Sequence, residues 1–292
     1  VEEFSTSYDQ SIFLNLEKDL DRNLFAKHDE VNEILDVLTI RNSLGGIKEK
    51  TTLLFIDEIQ ESAAAIKQLR YFYEELPELH VIAAGSLLEH TLGKVKNMPV
   101  GRINYLYLFP LNFQEYLSAT GKESMRSELT RIPVKKHLNS LILETFNRFV
   151  IFGGMPEIVQ HLVRENGSPA SIEAIYESIW LTYKDDIEKY ASNESMREVI
   201  RYILDSAPKL VDKRIKFHNF GGSNFRSREV SNAFDNLDKA KIIQLIHPTT
   251  NTEIPLLPDK KKWPRMQFLD TGIINFELDI QHELIGLEDL NN

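Results

Sequence analysis

The stretch TTLLFIDEIQ at 51–60 runs four apolar residues straight into two adjacent carboxylates. Leu53, Leu54, Phe55 and Ile56 do not alternate with polar residues. A strand formed here is apolar on both faces and must be covered on both, as in a parallel sheet flanked by helices. An antiparallel sheet with one wet face is a poor fit to this pattern. The covering material is there, because 292 residues at 42% hydrophobic content suffice for a sizeable core and for more than one domain.

Asp57 and Glu58 fall at the carboxyl end of that strand. In open α/β sheets this end faces the ligand crevice, where one acid holds Mg²⁺ through water and its neighbour polarises an attacking water. That is the layout of a Walker B element. A plain polar end to a buried strand is the competing reading, and these residues alone leave it open.

Around this strand the periodicity predicts SIFLNL at 11–16 as a short strand and a helix from Asp29 with Val31, Ile34, Leu35 and Leu38 on one face. Ser62 is placed to cap a helix running to about Glu75. HVIAAGSLL reads as the next buried strand, ending at Gly85 and Ser86, and INYLYLF as a last strand stopping at Pro110. The order is that of a doubly wound α/β unit. From Asn112 the pattern turns helical: FQEYLSA, LNSLILETFNRFVIF, a break at Gly153 and Gly154, MPEIVQHLV, and a long helix opened by Ser168 and Pro169. Beyond it ESMREVIRYILDSA, VSNAFDNLDKAK, IIQLIHPT and RMQFLD predict a helix-rich module with a terminal hairpin, the pattern of a winged helix-turn-helix.

Composition removes several classes of function. Without cysteine there are no disulfides, thiolate zinc sites or cysteine nucleophiles, and the eight histidines show no HExxH spacing. No apolar run has the length of a membrane span and VEEFSTSYDQ lacks the features of a signal peptide, so the expected location is cytoplasmic with no membrane partner. The net charge of −10 is uneven: residues 1–207 carry −10, residues 208–265 carry +6, and residues 266–292 carry −6. The basic segment either meets nucleic acid or complements the chain's own acidic surface.

Taken together, FLNLEKD (13–19), LLFIDEIQES (53–62), AAGSLLE (83–89), GRINYLYLFPLNFQEYL (101–117), FGGMPEIV (152–159), FRSREVSNAFDNLDKAKII (225–243) and QFLDTGIINF (267–276) resemble one family. It is the prokaryotic AAA-type ATPases whose core is followed by the domain of unknown function DUF4143. The order and spacing of the pieces carry the resemblance, which covers almost the whole chain. It implies a RecA/AAA-like parallel sheet core at 1–111, a helical lid-like domain at 112–192, a winged-helix domain at 193–276, and a linker at 277–292 leading to a further, nuclease-like domain outside these residues. The cofactors it implies are ATP and Mg²⁺. In the roles it implies, Asp57 holds the metal shell, Glu58 orients the water, and Ser86 is the sensor. Arg102, in the GR element, reaches a phosphate of the same or a neighbouring subunit, unless it is a loop arginine paired to an acid. Gln60 is expected to position the strand end.

One departure matters. A P-loop needs GxxxxGK[ST] to cradle phosphates, and no such motif lies in the 292 residues. GGIKEKT at 45–51 has Glu49 before Lys50, and LGKVK at 92–96 has no hydroxyl after Lys94. No phosphate-binding residue is therefore assignable. VEEFSTSY resembles the tail of the helix after a P-loop, so the central strand and its loop are expected upstream of Val1; a degenerate core is the alternative.

Two functions follow as expectations. The first is an AAA-type protein that hydrolyses ATP as a conformational switch. The second is a non-hydrolysing DNA- or protein-binding module on the same scaffold. A hydrolase with Ser86 as nucleophile fits poorly, since the GxSxG elbow is absent. For the winged helix, SREVSNAFDNLDKAK is the expected recognition helix, with Ser227 as cap and Arg226, Arg228, Lys239 and Lys241 as DNA-binding candidates. Asp235 and Asp238 on the same helix oppose phosphate. DNA, a protein client and further copies of the chain are the expected partners.

Overall fold

The apolar run at 52–57 becomes the middle of a parallel three-stranded sheet, β1 (Gln10–Asn15), β2 (Thr52–Asp57) and β3 (Leu79–Ala83), in the order β1-β2-β3. The computed structural model describes residues 1–46, 50–85, 101–164, 169–189, 191–281 and 283. The chain divides into two units, Val1–Tyr107 and Leu108–Asn292. In the first, Leu53, Leu54 and Ile56 are fully buried, so successive side chains pointing to opposite faces are both covered. This is the physical reason for the missing alternation.

Helices make the crossovers that parallel strands require. Between β1 and β2 lie α1, taken here as Asp19–Lys27, and α2 (Val31–Arg41), which buries Val31, Ile34 and Leu38. Between β2 and β3 lies α3 (Ala63–Glu75), burying Ala65, Ile66 and Phe72. Ser62 caps it as expected, its side chain accepting the Ala65 N–H at 3.1 Å.

The expected last strand does not form. Residues 103–109 have no ladder partner among the described residues, and Leu106 and Leu108 are 86% and 91% exposed. Strand formation needs a neighbouring backbone, which lies elsewhere in the sequence; an apolar β-prone run states only a preference. The boundary between the two units falls inside this run.

The second unit begins with α4 (Phe113–Ala119), opened by a capping box in which the Asn112 side chain accepts the Glu115 N–H at 3.0 Å and Glu115 accepts the Asn112 N–H at 2.8 Å. There follow α5 (Glu123–Leu129), α6 (Asn139–Phe152), α7 (Pro156–Arg164), α8 (Pro169–Lys189), α9 (Glu194–Ser206) and α10 (Ser227–Lys239). An antiparallel ribbon of β4 (Ile243–Ile246) and β5 (Arg265–Phe268) and a last helix, α11 (Thr271–Glu277), complete it. One apolar core joins Ile158, Tyr176, Ile200, Phe234 and Met266, so helices and ribbon share their interior. The cap of α10 differs from expectation. Ser227 is already helical, Arg226 is the N-cap, and Glu229 accepts the Arg226 N–H at 2.9 Å. Ser168, expected to cap α8, lies outside the described residues.

Candidate functional site

The two acids stand where the sheet ends. The Asp57 carbonyl accepts the Leu16 N–H at 3.1 Å, which ties the last residue of β2 to β1. On the other side Ala84 N–H donates to Ile56 O at 2.8 Å and Ile59 N–H to Ala84 O at 3.0 Å. With Ile56 and Ile59 both tied to Ala84, just past the end of β3, the chain must turn sharply between them. Glu58 takes up that turn in the left-handed region, φ 53° and ψ 45°. A residue with a Cβ costs about 1–2 kcal/mol in this conformation, and such strain is concentrated at sites of function.

The carboxylates are half-buried and differently held. Asp57 Oδ1 accepts the Glu58 N–H at 3.1 Å. Glu58 Oε2 accepts a hydrogen bond from Gln60 Nε2, so Gln60 orients the glutamate. Among the described residues no group of three or more His, Cys, Asp or Glu is gathered to hold a metal. A divalent ion here would be held by Asp57 with waters filling its shell, which is the habit of Mg²⁺.

The other expected site residues are placed as follows. Ser86 lies outside the described residues, although β3, the strand it follows, is paired with β2 as the reading required. Arg102 Nε stands 2.5 Å from Glu74 Oε1, and Arg70 Nε binds the same oxygen at 3.0 Å. The hydrogen bond from Arg70, joined by Arg102, holds the Glu74 carboxyl below the usual range despite the opposing effect of burial. Glu74 is in the last turn of α3, whose first turn follows the acids. At 1.5 Å per residue it lies about 18 Å along the axis from Ser62. Arg102 therefore keeps company with the far end of α3 and not with Asp57 and Glu58.

The DNA-binding candidates are spread out. Arg226 and Arg228 are exposed at the start of α10, whereas Lys239 and Lys241 are at its end, with the exposed Asp235 and Asp238 between them.

A carboxylate the sequence reading passed over is the most buried among the described residues of the second unit. Asp270, 6% exposed, caps α11 by accepting the Ile273 N–H at 3.2 Å and also accepts the Gly154 N–H at 2.6 Å. The Tyr176 hydroxyl donates to the Phe152 carbonyl beside it. Burial pushes the Asp270 carboxyl above its usual range, against the lowering pull of the Gly154, Ile273 and Gly272 amides. The two glycines leave room for this clamp. A Cβ on Gly153, at φ 69°, would collide with the Asp270 carboxylate, and one on Gly154 would collide with the Leu111 carbonyl.

Residues 1–117 match the family model of the AAA domain, and residues 143–284 match that of a domain of unknown function, DUF8612. The second is a different domain from the DUF4143 that the sequence resemblance suggested. No curated protein matches the chain. Among solved structures it is similar to a Walker-type ATPase of Pyrococcus abyssi, 12% identical, with 92% of this chain and 84% of that chain covered and a TM-score of 0.49. By the family-model match over residues 1–117, the segment that carries Asp57 and Glu58 is similar to AAA domains. No described helix is long and apolar enough to cross a membrane.

Proposed function

We propose that Asp57 and Glu58 form the acid half of an AAA-type ATP site, and that the protein hydrolyses ATP with Mg²⁺ to switch conformation. The observation that carries this reading is the Glu58 turn: a non-glycine residue kept left-handed, its carboxylate held by Gln60, at the carboxyl end of a buried parallel strand. Bound MgATP supplies an electrophilic phosphoryl group. Asp57 would hold the hydrated metal, and Glu58 would orient a water and accept its proton as the water oxygen bonds to the terminal phosphorus and the bond to the ADP oxygen breaks, releasing ADP and phosphate. Ser86 is the proposed sensor.

The residues present fit one half of such a site and not the other. The acid pair suits a hydrated Mg²⁺, whereas the phosphates need a cradle of backbone amides and a lysine, and no GxxxxGK[ST] lies in these 292 residues. That lack is the observation behind the second reading, a non-hydrolysing binding module on the same scaffold. In either reading α9, α10 and the β4–β5 ribbon make up a winged helix-turn-helix.

Glu58→Gln separates the two. In an ATPase the variant retains MgATP affinity while turnover falls about a hundredfold or more, the scale of losing one positioned catalytic group. If wild type neither binds MgATP by calorimetry nor releases phosphate, the ATPase reading is wrong and the binding module stands.

A further inference from the structure

A cluster of positive charge in the second unit lies outside α10. The Ile215 N–H donates to the Pro264 carbonyl at 2.9 Å, and Arg214 and Arg265 face each other in an antiparallel bridge. Residues 213–216 are thereby laid beside the start of β5. Lys216 Nζ stands 4.1 Å from the centroid of the Trp263 ring, and the indole is half-exposed. The loop joining β4 to β5 is pinched at its neck, where the Asp259 N–H donates to the Pro248 carbonyl at 2.8 Å. There the Asp259 side chain accepts the Lys261 N–H at 3.0 Å and its carbonyl accepts the Lys262 N–H at 3.1 Å. The turn sets Lys260, Lys261 and Lys262 immediately before Trp263.

Lys213, Arg214, Lys216, Lys260, Lys261, Lys262 and Arg265 are all exposed. The acids among them are already engaged, Asp212 with Arg265 at 2.7 Å and the Asp259 carboxylate with the Lys261 amide and the Thr250 hydroxyl. On a chain of net charge −10 this is a local reversal of sign. We propose that this face, the neck of the β4–β5 loop with segment 213–216, binds the phosphodiester backbone of nucleic acid, with Trp263 as a surface for a base. Cations in a row neutralise successive phosphates, and an indole among them offers a face to any base, so the binding is independent of sequence. Helix α10 makes a poorer phosphate surface, its cations split between two ends with two acids between. A membrane would have to take up Ile254, Leu256 and Leu257 at the exposed loop tip, whereas the cations and the indole are gathered at the neck.

The test is fluorescence anisotropy with a labelled random-sequence DNA duplex and its single strand, without nucleotide. Wild type is expected to bind both, weakening steeply between about 50 and about 200 mM salt. The triple variant Lys260→Ala/Lys261→Ala/Lys262→Ala should lose about tenfold or more in affinity at the lower salt and flatten the log–log salt slope by about 2–3. Arg228→Ala/Lys239→Ala should change affinity less than about threefold. Lys261→Glu alone should weaken binding too, which covers the case of a misfolded triple variant. The proposal is overturned if wild type binds neither DNA, if the helix variant loses affinity while the loop variants keep it, or if phosphatidylserine vesicles bind and DNA does not. Glu58→Gln should bind DNA as wild type does, so a failure of the ATPase reading leaves this result untouched.

Discussion

Asp57 with Glu58, and Asp270, are carboxylates handled in opposite ways. At the end of β2 each acid keeps capacity to accept further hydrogen bonds, and one of them is held in a strained backbone turn. In the second unit the single carboxylate is enclosed and its oxygens are occupied by amides of two chain segments far apart in sequence. A carboxylate whose lone pairs are already taken is part of the architecture. One held out at a strand end, at a cost in backbone energy, is available for chemistry.

The contrast is broken most directly at Asp270. Replacing Asp270 by Ala leaves the buried Gly154 and Ile273 amides without their acceptor, and losses of this kind cost about 3 kcal/mol or more. Urea unfolding should show it as a lower midpoint for the second unit. An unchanged midpoint would mean that the clamp carries no stability. Gly154→Ala reaches the same clamp from the other side. Its new Cβ meets a backbone carbonyl that cannot swing away, so about 2–3 kcal/mol should be lost by the same measurement.

A smaller effect concerns pH. Because burial raises the folded-state value of Asp270, the folded chain holds that proton more tightly than the unfolded chain does. The stability this contributes is present in full below the unfolded value, near 3.8, and is lost as the pH rises through the folded value. Glu188, held low by its hydrogen bond from Arg201, runs the other way: its contribution is present above its unfolded value and lost on acidification. The informative comparison is therefore wild type against Asp270→Asn over the same acid-to-neutral range. The variant should lack the fall in stability; an identical pH profile for the two would assign the fall to other groups.

How much of this was legible beforehand follows from how local each signal is. The middle strand, its acid end and the Ser62 cap were readable because run length, polarity and capping act within a few residues. The same holds for α4 and for α6 to α10, whereas the short helices α5 and α11 were not read from the sequence. INYLYLF was misread for want of a partner, which no local pattern reports. Asp270 was invisible as a clamp because it is joined to Gly154 across 116 positions; the double glycine at 153 and 154 was the one available hint, and it reads equally well as a plain helix break. The basic segment 208–265 is legible from composition, and the helical pattern puts the DNA-binding candidates on and around α10. The pairing of Arg214 with Arg265, which lays residues 213–216 beside the start of β5, is long-range and no local run reports it.

The last way to sharpen the contrast is to relieve the strain at Glu58 and watch stability and turnover part company. Glycine adopts the left-handed turn without the Cβ penalty, so Glu58→Gly should stabilise the first unit by about 1 kcal/mol relative to Glu58→Ala, which retains that penalty and has no carboxylate either. Both variants lose the Gln60 hydrogen bond, so the difference between them isolates the backbone. If Glu58 orients the attacking water, both should be equally inactive, and the glycine variant would be the more stable, non-functional protein. Equal unfolding midpoints for glycine and alanine would show that the turn is not strained. The reading of this strand end as a functional site would then rest on the acid pair alone.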